Sequence, residues 1–469
     1  MSVILAWLLA LSTGVLVMRV FSGRPRSPSA WLATLGHAVP LGLLACAAVV
    51  AFPGAFGWRN LPEGLWWWPV LLLPVLLLVI GLARVPETVA RPGRAVIDDL
   101  VPARWALPVM AVLLLLIAVR ATWLYQEAWL RPLFGWDAWL AWSAKAKAWL
   151  LGAEALPFVD GPRWLDVADG SVRTSLAHDY PELLSWLQVW MGSSAGGWHE
   201  PVINLVWPTL WLALLAGCYG QWRALSVPPL TAVAGAYVLA SLPLANVHAA
   251  LPGYADLWVA TLFAFAVLAT LRWREEGNRR QLLLAILLAA LLPAIKLEGM
   301  VWTAGVLALM LWFGLRGRRL VLRTGTVLAW VAVLLGVSWW WQLPWLRQTI
   351  ELFSLGQGGS VNNVLTATGA GLFTQYNWHL LWYLLPLVVI WRRRAMLANP
   401  SMVGVGLLLA GGLGLLLVLF LCTQAGRWAE SFTAINRLVL HIAPLAVSFM
   451  VLLMRRRQAA PRMVGTGAA

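Results

Sequence analysis

Long apolar stretches alternate with short basic ones along almost the whole chain. Apolar runs of about 20 residues, each long enough to cross roughly 30 Å of hydrocarbon as a helix, are read near 3–18, 30–52, 65–83, 105–124, 201–221, 229–248, 254–271, 281–297, 299–315, 324–342, 378–391, 401–421 and 435–454. The pattern predicts an all-α polytopic membrane protein with about 13 transmembrane helices and its termini on opposite sides. The short alternating strands of a closed barrel do not occur. Arg19, Arg24 and Arg26 follow the first apolar run rather than precede it, which predicts a retained helix and not a cleaved signal peptide.

Two connecting segments are too long to be turns: 125–200 and 343–377. In the first, PELLSWLQVWMG (Pro181–Gly192) is apolar but too short to span, and reads as an interfacial or re-entrant helix. The second holds SLGQGGSVNNVLTATGAG (Ser354–Gly371), either a flexible lid over a site or a disordered connector.

Composition agrees with the pattern. Of 469 residues, 61% are hydrophobic and only 11% are charged, against about 25% charged in soluble proteins. The net charge of +15 would suggest nucleic acid in a soluble chain. Here its distribution gives a different answer, and no nucleic-acid partner is expected. One set of loops carries 23 of the 34 basic residues with only five carboxylates, whereas the other carries 11 basic and 14 acidic residues. The positive-inside rule makes the basic set cytoplasmic. The N-terminus is then outside, the C-terminus inside, and both long segments lie on the outer face. Cys46, Cys218 and Cys422 sit in or at the ends of apolar runs and read as small hydrophobes.

Five charged clusters fall on that outer face. The first is FGWDAWLAWSAKAKAWL (Phe134–Leu150). Drawn as an α-helix at 100° per residue, it places Trp139, Trp142 and Trp149 on one side with Lys145 beside them, and Asp137 with three alanines on the other. The aromatic side suits the headgroup region. Asp137 could equally be an N-terminal carboxylate stabilised by the helix dipole. The second cluster gathers His178, Asp179, Tyr180 and Glu182, where Asp179 could simply be a cap. In the third, Asp256 opens an otherwise apolar helix. In the fourth, Lys296 and Glu298 share a tight turn, where a mutual ion pair is the plain alternative to function. In the fifth, Arg437 and His441 are spaced to share a helix face. Arg437 could snorkel to lipid phosphates or serve as a dedicated phosphate clamp.

Taken in order, Trp136-Asp137, His178-Asp179-Tyr180-Pro181, Tyr254-Ala255-Asp256, Lys296-Leu297-Glu298-Gly299 and Arg437…Pro444 resemble the pattern of the GT-C superfamily of integral-membrane glycosyltransferases, which includes protein O-mannosyltransferases and aminoarabinose transferases. The resemblance covers about residues 104–444. It implies three additional N-terminal helices (1–104), a catalytic transmembrane module with its outer loop (105–342), and a second outer loop with the C-terminal helices (343–469). It departs from the family where Asp137 lacks an acidic neighbour and where His-Asp-Tyr-Pro stands for the familiar His-Pro. The doublet Asp98-Asp99 looks like a metal motif, but charge places it on the cytoplasmic side.

The resemblance implies transfer of a sugar, with inversion, from a polyprenyl-phosphate donor to a hydroxyl on a glycan, lipid or protein acceptor. The setting would be the outer face of a bacterial inner membrane. Asp137 would be the general base, and its aromatic surroundings could raise its pKa to a useful value. Lys296 and Arg437 would stabilise the departing phosphate, with His178, Asp256, Tyr180, Glu298 and His441 around the donor. Trp136, Trp139 and Lys145 would face the acceptor or the interface. A divalent metal, Mg or Mn, would rest on Asp137 and Asp256. The alternatives are a lipid-linked oligosaccharide polymerase or ligase, a polytopic transporter or flippase, and a non-catalytic assembly protein.

Overall fold

The computed structural model describes residues 2–55, 102–152, 154–167, 169–314 and 359–455. The apolar runs within them fold as helices, because a backbone in hydrocarbon must satisfy its own hydrogen bonds. In chain order these are α1 (Val3–Ser22), α2 (Pro28–Ala55), α3 (Ala106–Leu130), α4 (Ala144–Gly152), α5 (Leu183–Ser194), α6 (Val206–Ala224), α7 (Pro229–Ser241), α8 (Pro243–Ala250), α9 (Asp256–Glu276), α10 (Arg279–Ile295), α11 (Gly299–Gly314), α12 (Val361–Gly369), α13 (Leu381–Leu397), α14 (Pro400–Cys422) and α15 (Ile435–Leu453). The one small sheet among the described residues pairs Phe158–Val159 with Arg173–Thr174 in parallel.

Seven described helices are long and apolar enough to cross a membrane, eight if α7 and α8 form one broken span. The protein is a multi-pass membrane protein, and of the thirteen expected crossings seven or eight are found among the described residues. The runs at 281–297 and 378–391 fold as helices of 17 residues each, and the run at 299–315 is helical from Gly299 through Gly314, the last described residue there. The run at 229–248 is bent by 63° where α7 meets α8. Pro243 has no N–H to continue the ladder, and Leu242 is extended (φ −60°, ψ 115°). The readings at 65–83, 324–342, 343–358 and Asp98-Asp99 lie outside the described residues.

α9 is the axis of the fold. Every residue from Asp256 to Leu271 is buried, and α6, α10, α11 and α15 pack around it. α15 runs parallel to α9. Arg437 meets Asp256 where both helices begin, and Arg455 meets Glu275 at 2.7 Å beyond their far ends. From Asp256 to Glu275 the helix rises about 28 Å, one hydrocarbon thickness. The acidic centre and the basic loops therefore sit at opposite ends of the bundle, in keeping with the charge pattern. Pro181–Gly192 is sunk in protein, with nearly all residues of α5 buried against α2 and α4, so of the two expected readings the surface-lying interfacial helix is not found. The described part of the second long segment is helical over Val361–Gly369, so that stretch is not a disordered connector.

Candidate functional site

Four separate stretches of chain deliver charge to one point. α9 presents Asp256 at its first residue, where the helix dipole favours a carboxylate. α10 stops at Ile295, and Lys296 turns extended (φ −155°, ψ 145°) to aim its ammonium inwards. The turn closes on Gly299, where a Cβ would lie 2.2 Å from the Leu292 carbonyl. α15 contributes Arg437 and, one turn later, His441.

Asp256 has no exposed surface and accepts from every side. Lys296 Nζ donates to Oδ1 at 2.9 Å, and His441 Nε2 donates to the same oxygen at 3.0 Å. Arg437 donates through Nε and Nη2 to Oδ2, at 3.1 and 2.9 Å. The Trp302 indole N–H donates to His441 Nδ1 at 2.9 Å. An indole can only donate, so Nδ1 keeps its lone pair and the ring is the neutral Nε2–H tautomer. Lys296 also pairs with Glu298 at 3.2 Å, so the ion pair between these neighbours exists but is the lesser of its two partnerships.

The fourth stretch brings Asp137, whose carboxylate accepts from Arg437 Nη1. It stands at the N-terminus of the Ala138–Ser143 turn without a side-chain capping bond, and its ion pair is to Arg437. Close packing fixes its place. A Cβ on Gly135 would lie 2.4 Å from the Tyr254 ring, and one on Gly253 would lie 2.4 Å from Ala138 Cβ. Gly253 also sits at φ +91°, a conformation that a side chain disfavours. The Tyr254 ring, lying 4.9 Å from Arg437, covers one face of the guanidinium. Burial, then the Asp137 charge, pushes the Tyr254 phenol pKa up.

The acceptor-side expectation is half corrected. Residues Ala138–Ser143 wind as a π-helix before α4 begins. A π turn advances each residue by less than the 100° assumed, which turns Trp139 away from Trp142, Lys145 and Trp149. Trp142 and Trp149 turn into the protein, the latter stacked on Trp186 at 4.4 Å, while Trp136 and Trp139 stay 67% and 51% exposed. Lys145 is fully buried and does not face an acceptor. Its ammonium holds the carbonyls of His178 and Tyr180, at 2.7 and 3.0 Å, and lies 3.5 Å from Glu182. Burial pushes its pKa down, against the pull of Glu182.

His178 is likewise displaced. Its Nδ1 lies 3.3 Å from the Ser175 carbonyl, and its backbone, not its ring, is what Lys145 holds. Tyr180 does face the centre: the Glu298 carboxylate, then burial, pushes its phenol pKa up while Lys296 opposes. Two residues here had no signal in the sequence. His248, on the short α8, puts Nδ1 3.9 Å from Asp256 Oδ2. Trp302 is one of 33 tryptophans, and nothing in its spacing marks it. Among the described residues no group of three or more His, Cys, Asp or Glu side chains could hold a metal ion. Both oxygens of Asp256 are already taken by N–H donors, so the donor set does not suit a hard divalent cation, which needs free oxygens.

Compared with known proteins, the chain matches no family model, no curated protein and no solved structure.

Proposed function

We propose that this is a membrane glycosyltransferase of GT-C type, moving a sugar from a polyprenyl-phosphate donor to an acceptor hydroxyl. The observation that carries the reading is the meeting of Asp137 and Asp256 on one guanidinium, with Lys296 beside it, at the membrane-surface end of the bundle. Such a centre has the parts that the chemistry needs. Arg437 and Lys296 can bind a phosphate and stabilise the charge that grows on it as the sugar leaves. Asp137, 31% exposed in its side chain and held on Arg437, can take the proton of an attacking hydroxyl. Asp256 and His441 hold the cations in place without touching substrate. The exposed Trp136 and Trp139 offer flat faces to a sugar ring.

The test is transfer by the purified protein in liposomes, using polyprenyl-phosphate hexoses labelled in the sugar and a cell-envelope fraction as acceptor. The wild type should move label from lipid to acceptor. Asp137→Asn should lower turnover by about 10²–10⁴-fold, the usual worth of a general base; near-normal turnover in this variant removes Asp137 from the mechanism. One observation favours a transporter instead. The break between α7 and α8 carries His248 to the charged centre, and transporters place broken helices at their substrate sites. Movement of a lipid-linked sugar across liposomes with its phosphate bond intact would decide for that reading.

A further inference from the structure

The charged centre is short of positive charge for the task just assigned to it. Arg437 and Lys296 are its two cations, and Asp137, Asp256 and Glu298 are its three carboxylates. His441 is neutral by its hydrogen bonds. A phosphate added to this arrangement would meet one net negative charge. One carboxylate must leave if an anion is to bind.

The three differ in how firmly they are held. Asp256 is fully buried and takes four donors, so removing it would strand the buried Lys296 and the partly buried Arg437. Glu298 faces Lys296, away from the guanidinium edge at issue, and one of its oxygens is buried without a partner. Asp137 and Glu298 are alike in exposure, at 31% and 32% of the side chain, but of the two it is Asp137 that sits on the guanidinium, its only ion-pair partner among the described residues. The guanidinium itself is constrained. Asp256 takes the edge formed by Nε and Nη2, Tyr254 covers one face, and Nη1 remains for Asp137 alone.

We infer that Asp137 occupies, at Arg437 Nη1, the seat of the substrate's phosphate, and that donor binding exchanges the one anion for the other. This rests on the transfer reading above and adds a sequence of events to it. While paired with Arg437, Asp137 has its Oδ2 engaged by Nη1 and turned from an incoming hydroxyl. The arriving phosphate takes Nη1 and releases the carboxylate. The base is therefore freed only when a donor is in place, and water meets a masked carboxylate at all other times.

The experiment is equilibrium binding of a short-chain polyprenyl monophosphate to the purified protein in phospholipid-free detergent. The matching uncharged polyprenol and inorganic phosphate are titrated alongside. Asp137→Asn vacates the seat and should bind the polyprenyl phosphate about tenfold more tightly than the wild type, with polyprenol binding unchanged. The same gain with inorganic phosphate assigns the seat to the phosphate alone, and a gain only with the lipid form assigns it to the carrier-bound phosphate. In an Arg437→Gln background, Asp137→Asn should give no gain, which ties the effect to the guanidinium. Unchanged or weaker phosphate binding by Asp137→Asn overturns the exchange, whatever the transfer assay shows. A tenfold gain in a protein that transfers no sugar keeps the anion seat and rejects the glycosyltransferase.

Discussion

Asp256→Asn separates the anchor of the centre from its exposed carboxylate. The substitution keeps size and shape but reverses half of the hydrogen bonding. An amide nitrogen placed at Oδ1 meets the N–H donors of Lys296 and His441, and one placed at Oδ2 meets Nε and Nη2 of Arg437. Either orientation sets donor against donor and leaves the buried Lys296 and the partly buried Arg437 without their shared counter-charge. Breaking a buried pair from one side costs about 3–5 kcal/mol. Asp137→Asn removes a partly exposed pair, worth about 1 kcal/mol or less. In a chain of this size roughly 2 °C accompanies each kcal/mol, so Asp256→Asn should lower the apparent unfolding midpoint by about 5–10 °C and Asp137→Asn by about 2 °C at most. Intrinsic tryptophan fluorescence in detergent, at one fixed scan rate, measures both. Variants that melt together, or an Asp256→Asn protein as stable as wild type, would refute the argument that Asp256 is the buried keystone.

Other outcomes follow from single contacts. Lys145→Met strips a charged donor from two carbonyls, a loss of about 3 kcal/mol, and amide exchange across 176–182 should rise while α9 stays protected. Trp302→Phe leaves His441 Nδ1 without its donor, at about 1–3 kcal/mol. Combined with His441→Gln, the two losses should fail to add, and strictly additive losses would mean that the indole does not act through the ring. Cys422 is the exposed cysteine, at the site end of α14, while Cys46 and Cys218 are buried. A membrane-impermeant maleimide should label Cys422 in right-side-out spheroplasts, and labelling only after lysis would invert the orientation derived from charge.

Spacing and charge made much of the centre legible. Asp137, Asp256, Lys296 and Arg437 stood out because a charge near an apolar run is costly, and cost implies a partner or a purpose. Arg437 and His441 were placed on one face by helical spacing, and α15 keeps them there. The failures have physical causes. A period of 100° per residue grouped Trp142, Lys145 and Trp149 but could not foresee the π turn that sets Trp139 apart, and an aromatic face does not by itself tell a protein core from a membrane interface. Hydropathy sees an apolar run but not a bend, so the break at Leu242 and the arrival of His248 beside Asp256 were hidden. Trp302 was hidden for the opposite reason. Tryptophan is so common here that no single one carried information, and only the hydrogen bond to His441 picks it out.

The guanidinium that joins both aspartates comes late in the chain, 181 residues after Asp256 and 300 after Asp137. Synthesis therefore delivers the centre in a fixed order. Asp256 and Lys296 can meet while the ribosome is still making the later helices, and they form a neutral pair. Asp137 has no cation to hold it until α15 is inserted. Up to that moment the loop that bears it has its packing against Gly253 and Tyr254 but lacks the ion pair that ties it to α15. The last helix thus acts as a lock on assembly, and chains cut short before it should be recognised by membrane quality control as unfinished.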